Sequence, residues 1–156
     1  MPTVKHKAFA YITNGGRLLV FRHPLEPEAG IQVPAGTIQP GEAPEAAALR
    51  EAFEETGLPN LVLASFLGEH CRSRADVGLA EVHRRYFFHL RCPGEPPESW
   101  RHYETDPSEG TRQPIPFDFF WAKLPDELPA LIAGHDALIP RLLERLGARE
   151  GGESHE

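Results

Sequence analysis

Apolar residues gather in Val4–Thr13, through Ala8, Phe9, Ala10, Tyr11 and Ile12, and again in Arg17–Arg22, through Leu18, Leu19, Val20 and Phe21. Asn14-Gly15-Gly16 lies between the two runs, which predicts a β-hairpin with its turn at Asn14-Gly15. Pro24–Gly30, proline-rich and acidic, reads as a loop returning into a short strand at Ile31-Gln32-Val33. Leu61–Leu67 reads as a strand, and His70–Gly78 as a polar, broken connection. In Val82–Leu90 the residues alternate: Val82, Arg84, Tyr86, Phe88 and Leu90 share one face, Glu81, His83, Arg85, Phe87 and His89 the other. That second face is either an exposed edge or the wall of a pocket. Cys92–Pro116 breaks every period and reads as one long loop, before Phe117–Leu124 returns as an aromatic strand. The spaced leucines of Asp126–Leu146 predict two helices split at Gly134, the second capped near Asp136 and stopped by Gly147, with a disordered tail over 148–156.

One helix is bounded more sharply than any other element. Pro44 suits a first helical position, where its fixed φ helps and its missing N–H costs nothing, and Gly57 suits a left-handed C-terminal cap. Between them, Pro44–Thr56 predicts a helix of about three to four turns. On a helical wheel Ala46, Leu49, Phe53 and Thr56 form the side expected to pack, while Glu51, Glu54 and Glu55 share the opposite arc. Ala47 and Ala48 lie one turn before the acids and are expected to leave space above them. Three like charges repel on an isolated helix, and a divalent cation turns that repulsion into coordination. Hard cations such as Mg²⁺ take carboxylates, water and phosphate oxygens, and the glycine-bearing turn Pro34-Ala35-Gly36 offers a backbone carbonyl as a further ligand.

The spacing of Gly36, Glu42 and Arg50-Glu51-Ala52-Phe53-Glu54-Glu55-Thr56-Gly57-Leu58 resembles the Nudix box. Ala52 stands where a larger aliphatic residue is usual in that family. The resemblance covers about a seventh of the chain. It implies hydrolysis of a nucleoside diphosphate linked to another moiety, with Mg²⁺ or Mn²⁺ as cofactor. It also implies Glu51, Glu54 and Glu55 as metal ligands, a carbonyl at or beside Gly36 as another, and Arg50 with Glu42 as a structural pair. Nudix proteins are α/β/α sandwiches on a mixed β-sheet. The chain's own order, strands before and after one acidic helix with helical segments at the end, points to the same α/β class.

Composition narrows the reading without changing it. A chain of 156 residues suits one domain, expected over 1–147. No apolar run is long enough for a membrane span and no secretory leader is evident. Cys71 and Cys92 read as free thiols in a reducing compartment, so a cytoplasmic location is expected. A net charge of −7 argues against nucleic-acid binding. The expected partner is a small phosphorylated substrate, a nucleotide derivative, acted on by a monomer or homodimer.

In this chemistry bound metal neutralises charge on the pyrophosphate and lowers the pKa of water. Glu51 is the first choice for the base or water-orienting carboxylate, although many members of the family use an acid from a downstream loop. Glu95, Glu98, Glu104, Asp106 and Glu109 are the candidates here. Arg22, Arg74 and Arg85 are candidate phosphate contacts, and Trp100 or Tyr103 a candidate stacking surface for a base. Relatives that cleave ADP-ribose often carry a proline beyond the box, where this chain has Ser73-Arg74. Relatives acting on dinucleoside polyphosphates tend to carry a tyrosine slightly further on, and none precedes Tyr86 here. A non-catalytic nucleotide-binding module is the alternative function. Loss of the box carboxylates would favour it, and all of them are present.

Overall fold

The computed structural model describes residues 2–104 and 114–154. Strands β1 (Thr3–Asn14) and β2 (Arg17–Arg22) form the expected hairpin, with Thr13 opposite Leu18 and Asn14 opposite Arg17. The turn lies one residue beyond the expected Asn14-Gly15, at Gly15 and Gly16, because Asn14 is still paired and both glycines take the positive φ that a two-residue hairpin needs. Short strands β3 (Ile31–Gln32) and β4 (Ala35–Thr37) follow, then helix α1 (Pro44–Thr56). Strands β5 (Val62–Ser73), β6 (Glu81–Arg91), β7 (Ser99–Glu104) and β8 (Ile115–Lys123) precede helix α2 (Ile139–Ser154). The sheet runs β5-β6-β1-β2-β8-β7, with β3 on β2 and β4 on β1. It is mixed, because β1 and β6 are parallel over Thr3–Thr13 whereas the other pairs are antiparallel.

Alternation along the central strands explains the layers. Ala8, Ala10 and Ile12 of β1, with Leu19 and Phe21 of β2, pack against Ala47, Ala48 and Ala52 of α1. Phe9 and Tyr11, with Leu18 and Val20, pack on the other face with Ile139 and Leu142 of α2. The expected α/β/α sandwich is therefore present, with the larger apolar side chains of each face worth about 1.5–3 kcal/mol apiece when fully covered.

Several elements differ from the expectation. The strand expected to end at Leu67 continues to Ser73 as the sheet's outer strand, adjusted by bulges between Leu63 and Ser65 and between Phe66 and Gly68. Exposure on that edge lets polar residues stay in the strand. β6 lies between β5 and β1, so its second face is not an exposed edge. The long loop of 92–116 contains β7, which pairs along β8; residues 105–113 lie outside the described part. Of the two helices expected in 126–146 only the second is regular. The first stretch is a series of turns whose backbone bridges Leu131 to Ile31. α2 runs through Gly147, and on through Gly151 and Gly152 to Ser154, where a stop and a tail were expected; a glycine inside a helix costs only ~1 kcal/mol relative to alanine and does not by itself end it. Among the described residues Cys71 and Cys92 are free thiols, and no helix is long and apolar enough to cross a membrane.

Candidate active site

α1 begins and ends where its sequence says. Pro44 occupies its first turn, and Gly57, at φ 76°, donates its N–H to the Phe53 carbonyl at 2.8 Å. Of the side expected to pack, Leu49 and Thr56 do so, whereas Ala46 and Phe53 are exposed. Ala47, Ala48, Ala52, Glu55 and Thr56 are buried, whereas Phe53 is 56 % exposed. Three small side chains let the helix lie close on β1, and that closeness replaces the bulk of a larger apolar face. The alanines therefore seat the helix and do not open space above the acids. Glu51 and Glu55 consequently border the packed side and project into the crevice between α1 and β4.

β4 supplies the other wall, as a strand and not the turn expected at 34–36. Lys7, Ala8 and Phe9 of β1 pair with Thr37, Gly36 and Ala35. The Ala35 N–H donates to Glu55 Oε2 at 2.8 Å. A side chain at residue 36 would fall inside the Glu51 carboxylate, so only glycine lets that acid lie on the backbone. Glu55 is 5 % exposed. Burial, then the charges of Glu104, Glu51 and Glu54, hold it well above the usual carboxylate range, opposed by the Ala35 N–H.

Arg50 ties the crevice together. Its Nε donates to Glu42 Oε2 at 2.8 Å and its Nη2 to Glu42 Oε1 at 2.9 Å, a bidentate pair. Nη2 also reaches the Thr37 carbonyl at 3.0 Å, while Nη1 donates to Glu51 at 2.7 Å and Glu54 at 3.3 Å. The Arg50 hydrogen bonds, helped by the Gln39 N–H, draw Glu42 down to about 2. The Arg50–Glu42 pair is thus present and fastens the loop before α1 to the helix. Around these groups opens a cavity of about 760 Å³, lined by Gly36, Arg50, Glu51, Glu54, Glu55 and Glu104, with Lys7 and Phe117 among its other walls. A second cavity, about 370 Å³ at the hairpin end beside Thr13, His89 and Cys92, has no acidic residue in its lining among the described residues.

β7 explains how Glu104 arrives. Its alternate residues Trp100, His102 and Glu104 share a face. The Trp100 indole N–H donates to the Thr56 carbonyl at 2.9 Å and His102 Nε2 to the Glu54 carbonyl at 3.1 Å, both at the C-terminal end of α1. Two residues further on, Glu104 meets the acidic cavity. Trp100 therefore anchors the helix and stacks on Phe119, with ring centroids 5.3 Å apart, instead of presenting its ring to a base. Tyr103, the other stacking candidate, is exposed and does not line this cavity. Glu98 lies at the opposite end of β7, where both its oxygens accept from Arg17 at 3.0 Å, and Glu95 lines a separate small cavity. Asp106 and Glu109 lie outside the described residues. Arg22 stacks over Phe120, 4.5 Å from its centroid, away from the acids. Arg74 and Arg85 line a different cavity, which shares Gly36 with the acidic one.

The donor set of the acidic cavity suits a hard divalent cation: clustered carboxylates, one of them buried, beside a glycine backbone. Among the described residues no three acidic, histidine or cysteine side chains already stand at the spacing of a closed metal site. Arg50 lies against two of the acids instead. The glycine-lined contact at Glu51 and the like-charge crowding at Glu55 are the features that fit a cation.

Comparison with known proteins extends the match well beyond the box. The pattern of the NUDIX domain matches residues 5–141. An ADP-ribose pyrophosphatase of Bacillus subtilis (strain 168) is 43 % identical over 60 residues, which is 35 % of this chain and 32 % of that protein, so the match spans about a third of the relative. The crystal structure of a MutT NUDIX hydrolase from Burkholderia pseudomallei is 26 % identical with a TM-score of 0.58, covering 90 % of this chain and 96 % of that one. A bifunctional NMN adenylyltransferase/ADP ribose pyrophosphatase from Francisella tularensis, complexed with AMP and a manganese ion, shares the fold at 18 % identity and a TM-score of 0.57, over 93 % of this chain and 42 % of that one. With the family pattern running from β1 into α2 and the box residues gathered in one crevice, the chain belongs to the NUDIX domain family.

Proposed function

We propose that the protein is a divalent-metal-dependent pyrophosphohydrolase that cleaves a nucleoside diphosphate linked to another moiety. The observation that carries this reading is the buried Glu55, held by the Ala35 N–H and crowded by Glu51, Glu54 and Glu104 beside the Gly36 backbone. Such crowding is unfavourable without a cation. Glu51, Glu54 and Glu55, with the Gly36 carbonyl, would hold Mg²⁺ or Mn²⁺. When bound, the metal neutralises charge on the pyrophosphate oxygens and acidifies water. Glu51 is the carboxylate assigned to orient the attacking water and take its proton. Glu104, which the β7 register carries to the cavity, is the downstream acid assigned to assist it. Arg50 positions the site by fixing the loop of Thr37 and Glu42 to the helix. The Ala35 N–H orients Glu55 in the same way. Access for a substrate comes from the breadth of the cavity, whose walls combine Lys7 and the acids with Ile38 and Phe117.

The test is product release from a panel of nucleoside diphosphate and triphosphate derivatives with Mg²⁺ or Mn²⁺. ADP-ribose heads the panel because the Bacillus subtilis relative is named for it. Turnover that stops in EDTA and returns with metal is the expected result. Nucleotide binding without turnover of any compound would overturn the enzyme in favour of a binding module.

A further inference from the structure

On the α2 side of the sheet, the β6 face that carries His83 and Arg85 borders a cavity of about 190 Å³, lined by Lys7, Gly36, Arg74, His83, Arg85 and His135 among others. Arg85 is only 2 % exposed. Its Nη1 donates to the Ala133 carbonyl and its guanidinium lies 4.8 Å from the centroid of Phe9, yet its Nε is buried with no hydrogen-bond partner. Arg72 and Arg74 each bury an Nε in the same condition. Nη1 of Arg72 and Nη1 of Arg85 both crowd Gly134, whose φ of +78° already favours glycine.

Of the cavity's basic lining, His83 pairs with Glu81 at 2.8 Å. Asp76 pairs with Arg72 at 3.3 Å, but among the described residues neither Arg74 nor Arg85 has a carboxylate within ion-pair distance. Burial, then Arg72 and Arg74, pull Arg85 down to about 10. Burial, then Arg85, Arg74 and Arg72, push His135 down to about 3, so its imidazole is neutral. Its Nδ1 accepts the Val33 N–H at 3.0 Å, leaving the ring proton on Nε2. Arg74 and Arg85, two guanidiniums with a buried unused N–H each and no acid partner among the described residues, form a poor structural cluster and a good anion cradle.

This cavity and the acidic one share Lys7, Gln32, Ala35 and Gly36, so one ligand can touch both. We propose that Arg74 and Arg85, beside Arg72 and His135, bind a phosphate monoester carried by the moiety beyond the scissile pyrophosphate. The preferred substrate class is then a nucleoside diphosphate derivative with one additional phosphate. The inference rests on the acidic cavity being where the pyrophosphate is cleaved.

Two arms test it separately. In the first, ribose 5-phosphate is titrated into the metal-free protein in EDTA, with ribose as the control, for the wild type, Arg74→Gln and Arg74→Lys. Arg74 is chosen because it has no side-chain hydrogen bond or ion pair to a described residue, whereas loss of Arg85 risks the fold. Saturable binding of the phosphate sugar alone, weakened at least tenfold by Arg74→Gln and partly kept by Arg74→Lys, is expected. No binding to the wild type, or equal binding by Arg74→Gln, would overturn the subsite. In the second, kcat/KM is compared for a nucleoside diphosphate sugar and the same compound phosphorylated on the sugar. A preference of tenfold or more for the phosphorylated compound, collapsing in Arg74→Gln, is expected. Binding of ribose 5-phosphate with no preference between the two compounds would overturn the substrate assignment and leave a site for free phosphate compounds. If neither compound is cleaved, the hydrolase reading fails while the first arm still decides the subsite.

Discussion

Two charged cavities meet at Ala35 and Gly36, and they are built in opposite ways. The acidic one is assembled by a helix begun at Pro44 and capped at Gly57, a strand that donates a backbone N–H to Glu55, and an arginine that bonds Glu42, Glu51 and Glu54. The basic one is built around Arg74 and Arg85, which have no carboxylate within ion-pair distance among the described residues, while its neighbours Arg72 and His83 pair with Asp76 and Glu81. The difference teaches what each lacks. Acids already positioned by the backbone need a cation, and arginines with unused N–H groups need an anion.

Breaking the acidic side gives the largest expected effect. Glu51→Gln should keep the fold and lower turnover on the order of 100-fold, about 2.7 kcal/mol of transition-state stabilisation. Unchanged kcat in a correctly folded variant would remove Glu51 from the chemistry.

Arg50→Ala comes next, because it strips partners from three carboxylates and the Thr37 carbonyl at once. Its side chain is a quarter exposed, so solvent screening reduces the cost to about 1–2 kcal/mol. A fall in Tm of about 3–6 °C should accompany slower turnover. Normal melting with no activity would instead make Arg50 a substrate contact.

The pH dependence of stability separates Glu55 from Glu42. Glu55 has its pKa raised by folding, so its contribution is present at low pH and is lost as pH rises through the raised value. Glu42 has its pKa lowered to about 2, so its contribution is present above the ordinary 4.5 and is lost as pH falls toward 2. Metal-free protein should therefore lose stability toward alkaline as well as strongly acidic pH. Added Mg²⁺ should restore the alkaline side, because metal and proton compete for Glu55. Thermal melts at several pH values, with and without Mg²⁺, read both signs, and a metal-free stability that climbs steadily to pH 8 would contradict the account of Glu55.

The smallest effect sharpens the choice among downstream acids. Glu98→Gln removes an exposed ion pair with Arg17 and should change stability by less than about 0.5 kcal/mol with turnover intact. Glu104→Gln, assayed beside it, should slow turnover by roughly tenfold, about 1.4 kcal/mol. Equal rates for the two variants would take Glu104 out of the mechanism.

Legibility followed the range of the interactions. α1 was readable to the residue because Pro44 and Gly57 act on their own backbone, and the hairpin to within one residue of its turn because its glycines do the same. The packed side of α1 was misread in part, because bulk usually marks the inward face, while here three alanines win by close approach and leave Phe53 outside. β7 was hidden by the prolines and glycines around it, although Trp100-Arg101-His102-Tyr103-Glu104 alternates and is aromatic enough to be read as a strand. The period alone puts Glu98 and Glu104 in one phase; only the strand's placement, with Glu104 at the cavity end and Glu98 at Arg17, separates them. Arg74 and Arg85 and the β6 face were legible as candidates, but not their meeting, since Arg72, Arg74, Arg85 and His135 come from three separate segments joined only by tertiary packing.

Calorimetric titration of Mg²⁺ into the wild type and Glu55→Gln tests the central claim most directly. The wild type should bind Mg²⁺ saturably, and the variant, which keeps the side chain's shape but removes its charge, should bind it at least tenfold more weakly. Equal affinity in the two proteins would contradict the assignment of the acidic cavity as the metal site.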